Sequence, residues 1–128
     1  MHPAIRNEFG HSQVIDITTR GRTSGQPRRI EIVFHSFDGR IYVSGMPHSR
    51  RRSWLANLEA DPNLTVHLKG AVTADVPATA REITDPDERR AVLERIARAW
   101  RRTDVDRMVA ESPLVELTIP ALAVATPA

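Results

Sequence analysis

The sequence predicts a mainly β (α+β) domain in which about six mostly antiparallel strands close a barrel, with one short and one longer helix at its openings. Three observations carry that expectation. Strand-like runs of β-branched and apolar residues recur along the chain, several with a period of two. The early ones are joined by short glycine-containing turns, not by crossover helices. Clear helical patterns occupy only two stretches, so the strand-to-helix alternation of a parallel sheet is missing. The 128 residues suit one domain, 1–128, with no internal repeat and no linker.

Gln13 to Thr19 is β-branched and apolar and stops at a segment containing Gly21, Gly25 and Pro27, so it reads as a strand entering a turn. Arg29 to His35 alternates Ile30, Ile32 and Phe34 with Arg29, Glu31 and Val33, the pattern of a strand with one buried face. Asp38-Gly39 is a tight-turn signal, and Arg40 to Ser44 returns as a third strand to complete a meander. Gly45 to Arg52 has neither period. It ends at Ser53, read as the N-cap of a two-turn helix carrying Trp54, Leu55 and Leu58 and closing at Asp61-Pro62.

Leu64 to Leu68 alternates again, and Ala71 to Ile83 supplies one long or bent strand in which Pro77 marks a bend or an edge. Asp85-Pro86-Asp87-Glu88 is a strong helix start, with an acid at the N-cap and proline at the first helical position. The helix is expected to reach about Arg101, with Val92, Ile96 and Trp100 in an apolar stripe beside Leu93 and Ala99; the stripe reads as core. Asp104 to Ala110 adds a helical turn, and Leu114 to Ile119 is the last strand before Pro120 and a small-residue tail.

Composition narrows the chemistry. Hydrophobic residues form 41% and charged residues 27%, ordinary for a folded chain, so disorder is set aside. No run approaches a bilayer span and Met1 to Gly10 lacks the apolar core of a secretory signal, so the expected compartment is the cytoplasm, without stable membrane insertion. Cysteine is absent, which excludes disulfides, thiolate nucleophiles and Cys-ligated metals and leaves redox chemistry to a bound cofactor. The five histidines show no ligand spacing, so no metal site is expected. Neither a P-loop nor a G-x-G-x-x-G turn is present, and Gly21 to Gly25 is not a nucleophile elbow.

The net charge is only +2, yet the chain has seventeen arginines and one lysine, Lys69, and seven of those arginines fall in two windows free of acids. The first lies in Thr18 to Arg29, T-T-R-G-R-T-S-G-Q-P-R-R, where Gly21 and Gly25 let the backbone turn and Thr23 and Ser24 add hydroxyls among Arg20, Arg22, Arg28 and Arg29. The second is Ser44 to Trp54, where Arg50, Arg51 and Arg52 lead into a helix start. Both segments suit phosphate, and each alone is also compatible with a solvated arginine-rich turn. Nucleic-acid binding ranks last as a use for them, because there are six aromatics and no nucleic-acid motif.

The order strand, G-R-T-S-G-Q-P-R, strand, D-G-R-x-Y-V-S-G, loop and W-L-A-N-L-E-A-D-P-N-L-T-V resembles the deazaflavin-dependent nitroreductase family of actinobacteria, over roughly Val14 to Val66 and more loosely to the last strand. The resemblance implies a split β-barrel that binds the deazaflavin coenzyme F-420, with its phosphate and glutamate tail in a basic groove. It carries over Arg22, Thr23, Arg28, Arg29 and Ile32, then Ser44, Met46, Pro47 and His48, then Arg51, Arg52, Ser53 and Trp54 as cofactor-binding residues. It implies a reductase passing a hydride to a small-molecule acceptor such as a quinone or enone, with no catalytic side chain named and a homodimer allowed.

FMN as the ligand, or a carrier that binds cofactor without turnover, are the alternatives. Two departures stand out. The family commonly has lysine where this chain has Thr23, and it uses tyrosines near the C-terminal helices, whereas Ala99 to Ser112 contains none and Tyr42 is the single tyrosine. Nitroimidazole reduction in particular loses support.

Overall fold

The computed structural model describes residues 1–123. Its elements are α1 (Pro3–Glu8), β1 (Gln13–Arg20), β2 (Pro27–Phe37), β3 (Arg40–Ser44), α2 (Ser53–Ala60), β4 (Asn63–Lys69), β5 (Thr73–Glu82), α3 (Pro86–Trp100), α4 (Val105–Glu111), β6 (Leu114–Thr118) and α5 (Pro120–Ala123). The six strands close a barrel in the order β1-β2-β3-β6-β5-β4, every neighbouring pair antiparallel.

The period-two runs put Ile15, Ile17, Phe34, Val43, Val66, Leu68 and Val76 inside the barrel, all buried. The meander forms as the sequence predicts, and its β2–β3 turn needs Asp38 and Gly39 at φ 54° and 72°, a pair of left-handed residues that suits asparagine, aspartate and glycine. Pro77 sits opposite Thr65 of β4, while β6 reaches only Thr79 to Glu82 of β5, so proline occupies a stretch with a partner on one side.

A second, smaller core lies outside the barrel wall. Val92, Leu93, Ile96 and Ala97 of α3 pack with Tyr42, Ile83, Met108 and Leu114. Asp85 caps α3, its carboxylate accepting the Glu88 N–H at 2.9 Å. The buried stripe includes Ala97, whereas Ala99 is exposed, which corrects the sequence expectation by about half a turn.

Two further expectations are corrected. Ser53 is the first residue of α2 and not its N-cap: Arg52 is extended, at φ −65° and ψ 140°, and its carbonyl accepts the Ala56 N–H at 3.1 Å. The helices number more than one short and one longer. The segment α1 has no apolar period and is held instead by Pro3 and by His2 Nδ1, which accepts the Ala4 N–H at 3.0 Å. The tail beyond Ala123 lies outside the described residues.

Register decides where a ligand can enter. Only Phe34 to Phe37 of β2 pair with β3, so the Pro27 half of β2 continues past the end of β3. On that overhang Arg28, Ile30 and Ile32 share the inward face with Thr19, Ile17 and Ile15 of β1, their cross-strand partners. Helix α2 covers this end of the barrel, burying Trp54, Leu55 and Leu58.

Candidate functional site

The turn between β1 and β2 folds on its own bonds. Gly21 N–H donates to the Gln26 carbonyl and Gly25 N–H to the Gly21 carbonyl, both at 2.8 Å. Gly21 is closely packed there, because a Cβ would stand 2.7 Å from Ser24 Oγ and 3.1 Å from the Gln26 carbonyl and would force both to shift. Gly25 takes φ 70°, in the left-handed region.

This turn meets the start of α2. The Arg22 N–H and its Nη1 donate to Asn57 Oδ1 at 3.1 and 3.0 Å, and Nη1 also lies 3.4 Å from the Ser53 carbonyl. Between turn, overhang and helix lies a cavity of about 570 Å³. Of the residues expected at a site, Arg22, Thr23, Arg28, Arg29, Ser53 and Trp54 line it together.

A second cavity, of about 460 Å³, opens on the other side of the α2 start, where His48, Arg51 and Arg52 face the segment before β6. The four remaining expected residues line neither cavity. Ile32 is half-buried against the barrel core. Ser44 is buried and donates its hydroxyl to the Pro113 carbonyl at 2.6 Å. Pro47 is buried beside exposed Met46, whose sulfur accepts from Arg102 Nη1 at 3.3 Å.

The arginines differ in what they hold. Arg29 Nε donates to Asp16 at 2.9 Å on the outer wall, where Lys69 also meets Asp16 at 2.7 Å and pairs with Glu31. Those two cations hold the Asp16 carboxyl below its usual range, Lys69 contributing most. Arg51 bonds Glu82 and Glu59. Arg52 donates to the Met46 carbonyl at 2.7 Å and so braces the loop. Among the described residues Arg28 hydrogen-bonds only a neutral group, with Nη2 3.3 Å from Ser24 Oγ.

Backbone donors complete the picture. In the turn the N–H groups of Gly21, Arg22, Gly25 and Gln26 all have acceptors, whereas those of Thr23 and Ser24 have none among the described residues. The first turn of α2 adds its own unpaired N–H groups beside the cavity. Two adjacent amides, the Thr23 and Ser24 hydroxyls and the Arg28 guanidinium form a donor set matched to a phosphate. Trp54 and Ile30 give the same cavity an apolar wall for a flat ring. The residues present therefore fit a phosphate-bearing aromatic cofactor.

Sequence reasoning missed Asn57, Thr19 and Ile30 in this cavity. Asn57 lies inside the W-L-A-N-L-E motif, and its polarity on an otherwise apolar helix face is the signal that could have found it. Among the described residues no group of three or more His, Cys, Asp or Glu could hold a metal ion. No described helix is long and apolar enough to cross a membrane.

Solved structures share the fold at low identity. A conserved hypothetical protein from Mycobacterium tuberculosis superposes with a TM-score of 0.69 at 19% identity, covering 100% of this chain and 91% of its own. An F420-H2 dependent reductase gives 0.59 at 20% identity, covering 82% and 93%. A structure described as a domain-swapped dimer gives 0.62 at 20% identity, covering 82% and 79%. The sequence model of the F420H(2)-dependent quinone reductase family matches residues 4–118, nearly the whole described chain. The chain belongs to the F420H(2)-dependent quinone reductase family, a family of deazaflavin-dependent oxidoreductases that use coenzyme F420.

Proposed function

We propose that this chain reduces a small electrophilic acceptor, a quinone or an enone, with hydride from reduced coenzyme F420 held in the cavity between the β1–β2 turn and the start of α2. The observation that carries the reading is the convergence of Arg22, Thr23, Arg28, Ser53 and Trp54 on one cavity beside two backbone N–H groups that lack acceptors among the described residues. When bound, the reduced deazaflavin supplies the hydride-donating carbon.

The chain's own part is binding, orientation and exclusion of water. Thr23, Ser24 and Arg28 take the phosphate, and Arg22 and Arg29 line the same cavity. Trp54 and Ile30 provide the apolar wall, and Arg51, Arg52 and His48 flank the helix start, where they meet the remaining negative charge of the tail. Ser44, Met46 and Pro47 shape the loop that carries those residues, and Ile32 backs Ile30 on β2. No side chain is assigned to proton transfer, because solvent can protonate the reduced product.

Fluorescence titration of the purified protein with coenzyme F420 and with FMN tests the cofactor, and oxidation of the reduced coenzyme by a panel of quinones and enones tests the reaction. Binding of F420 with turnover of a quinone or enone is the expected result. Preference for FMN, or tight F420 binding with no turnover against the panel, would replace this reading with a flavin enzyme or a carrier. Pairing of two copies is supported by the domain-swapped dimer among the fold neighbours and is read by analytical ultracentrifugation.

A further inference from the structure

Asn57 is buried on the inward face of α2 and makes three side-chain hydrogen bonds, all to the end of β1 and the turn after it. Its Oδ1 accepts from the Arg22 N–H at 3.1 Å and from Arg22 Nη1 at 3.0 Å, and its Nδ2 donates to Thr19 Oγ1 at 3.1 Å. Thr19 is itself buried, so the Asn57–Thr19 bond is shielded from water and anchors the amide, while the two bonds to the exposed Arg22 are part-buried.

The remaining bonds of the turn lie within it or reach the adjoining strand residue Arg28. Asn57 is therefore the tie between the turn and the helix that faces it across the cavity, aided by the longer Arg22 contact to the Ser53 carbonyl. By taking the Arg22 N–H it also selects which amides stay without a protein acceptor, namely the next two, Thr23 and Ser24.

Resting on the functional reading above, we propose that Asn57 is a positioning residue for the phosphate-bearing cofactor. It touches no phosphate itself. It locks Arg22 into the wall, so that Arg22 serves as a clasp, and it presets the Thr23–Ser24 amides with Arg28 for a phosphate group that would otherwise have to order them on binding. An asparagine suits this role because one amide group offers an acceptor to Arg22 and a donor to Thr19 at once.

The test uses three variants and two ligands. Asn57→Leu removes all three bonds, and Asn57→Ser is too short to span both partners but leaves room for water should the leucine variant fail to fold. Asn57→Asp keeps the acceptor for Arg22, with the Thr19 hydroxyl free to donate in turn. Amide chemical shifts are followed by NMR during titration with inorganic phosphate, and coenzyme F420 affinity is followed by fluorescence.

The wild type should show saturable phosphate-induced shifts at the Thr23 and Ser24 amides. Asn57→Leu or Asn57→Ser should lose them and raise the coenzyme Kd by about tenfold or more, whereas Asn57→Asp should stay within about threefold of wild type. Unchanged shifts and affinity in the leucine or serine variant would overturn the assignment, as would a wild type whose Thr23 and Ser24 amides ignore phosphate. Failure of Asn57→Ser to fold would make the residue structural and overturn it too. Phosphate shifts that depend on Asn57, with no binding of coenzyme F420, would leave the positioning role standing and sink the functional reading instead.

Discussion

Arg51 grips Glu82 with a two-pronged contact: Nη1 and Nη2 each lie 3.1 Å from a carboxylate oxygen, and Nη2 also reaches Glu59 at 2.7 Å. The bonds to Glu82 keep this guanidinium more firmly protonated than an ordinary arginine. A cation so engaged has less charge to offer a ligand than Arg28, whose one side-chain partner among the described residues is a serine hydroxyl. Arg28→Ala should therefore raise the coenzyme F420 Kd about tenfold, roughly 1.4 kcal/mol, and Arg51→Ala should raise it by less. Titrations of both variants at one fixed salt concentration check the order; an equal or larger effect at Arg51 refutes it.

His35 is 4% exposed, lies edge-on to Trp100 with ring centroids 5.0 Å apart, and its Nε2 has no hydrogen-bond partner among the described residues. Burial pushes its pKa down from 6.5 to about 4. The unfolded chain therefore takes up this proton near pH 6.5 while the folded chain resists it to about 4. Stability is fully retained above 6.5 and declines as pH falls through that window, by a total on the order of 3 kcal/mol. Urea unfolding of wild type and His35→Leu across the window should show a difference in slope; parallel profiles would contradict the expectation.

Two glycines should separate binding from stability. Gly21→Ala drives a Cβ into Ser24 Oγ and the Gln26 carbonyl, so the turn must deform and coenzyme affinity should fall at least about tenfold. Gly39→Ala meets no atom within 4 Å and suffers only its φ of 72°. It should cost about 1–2 kcal/mol of stability and leave affinity as it was. Thermal melts paired with titrations give both readings.

Ser44→Ala should act on stability through one bond. The hydroxyl is buried and holds the Pro113 carbonyl at 2.6 Å, linking the end of β3 to the segment entering β6. Its loss strands that carbonyl at a cost of about 1–3 kcal/mol, seen as a lower urea midpoint with an unchanged slope.

Strands with one wet face were legible in the sequence where their alternation is local: the spacing of Ile30, Ile32 and Phe34 marked the buried face of β2, and Phe34 is fully buried. The turn at Asp38-Gly39 and the cap at Asp85 were legible for the same reason, each being set by a few adjacent residues. Helix α1 was not, because a cap and a proline hold it without an apolar period. At the site, spacing marked both arginine windows, and the fold brings Arg22 and Arg28 to a cavity shared with Ser53 and Trp54. It could not show that Arg29 would meet Asp16 or Arg51 would meet Glu82, since those partners lie 13 and 31 residues away. Asn57 escaped for a similar reason: its partners belong to β1 and the turn, which only the closed barrel places against α2.

Arg89 donates to four main-chain oxygens, those of Ile83, Met108, Val109 and Ser112, at distances from 2.6 to 3.4 Å. One guanidinium thus fastens the exit of β5 to the last turn of α4, and a lysine, with its single point of charge, could not reproduce the span. A single side chain of α3 thereby ties together main-chain positions from 83 to 112. Substitutions around these oxygens are therefore confined to side chains, because shifting the main chain would mean releasing a half-buried cation from every oxygen it holds.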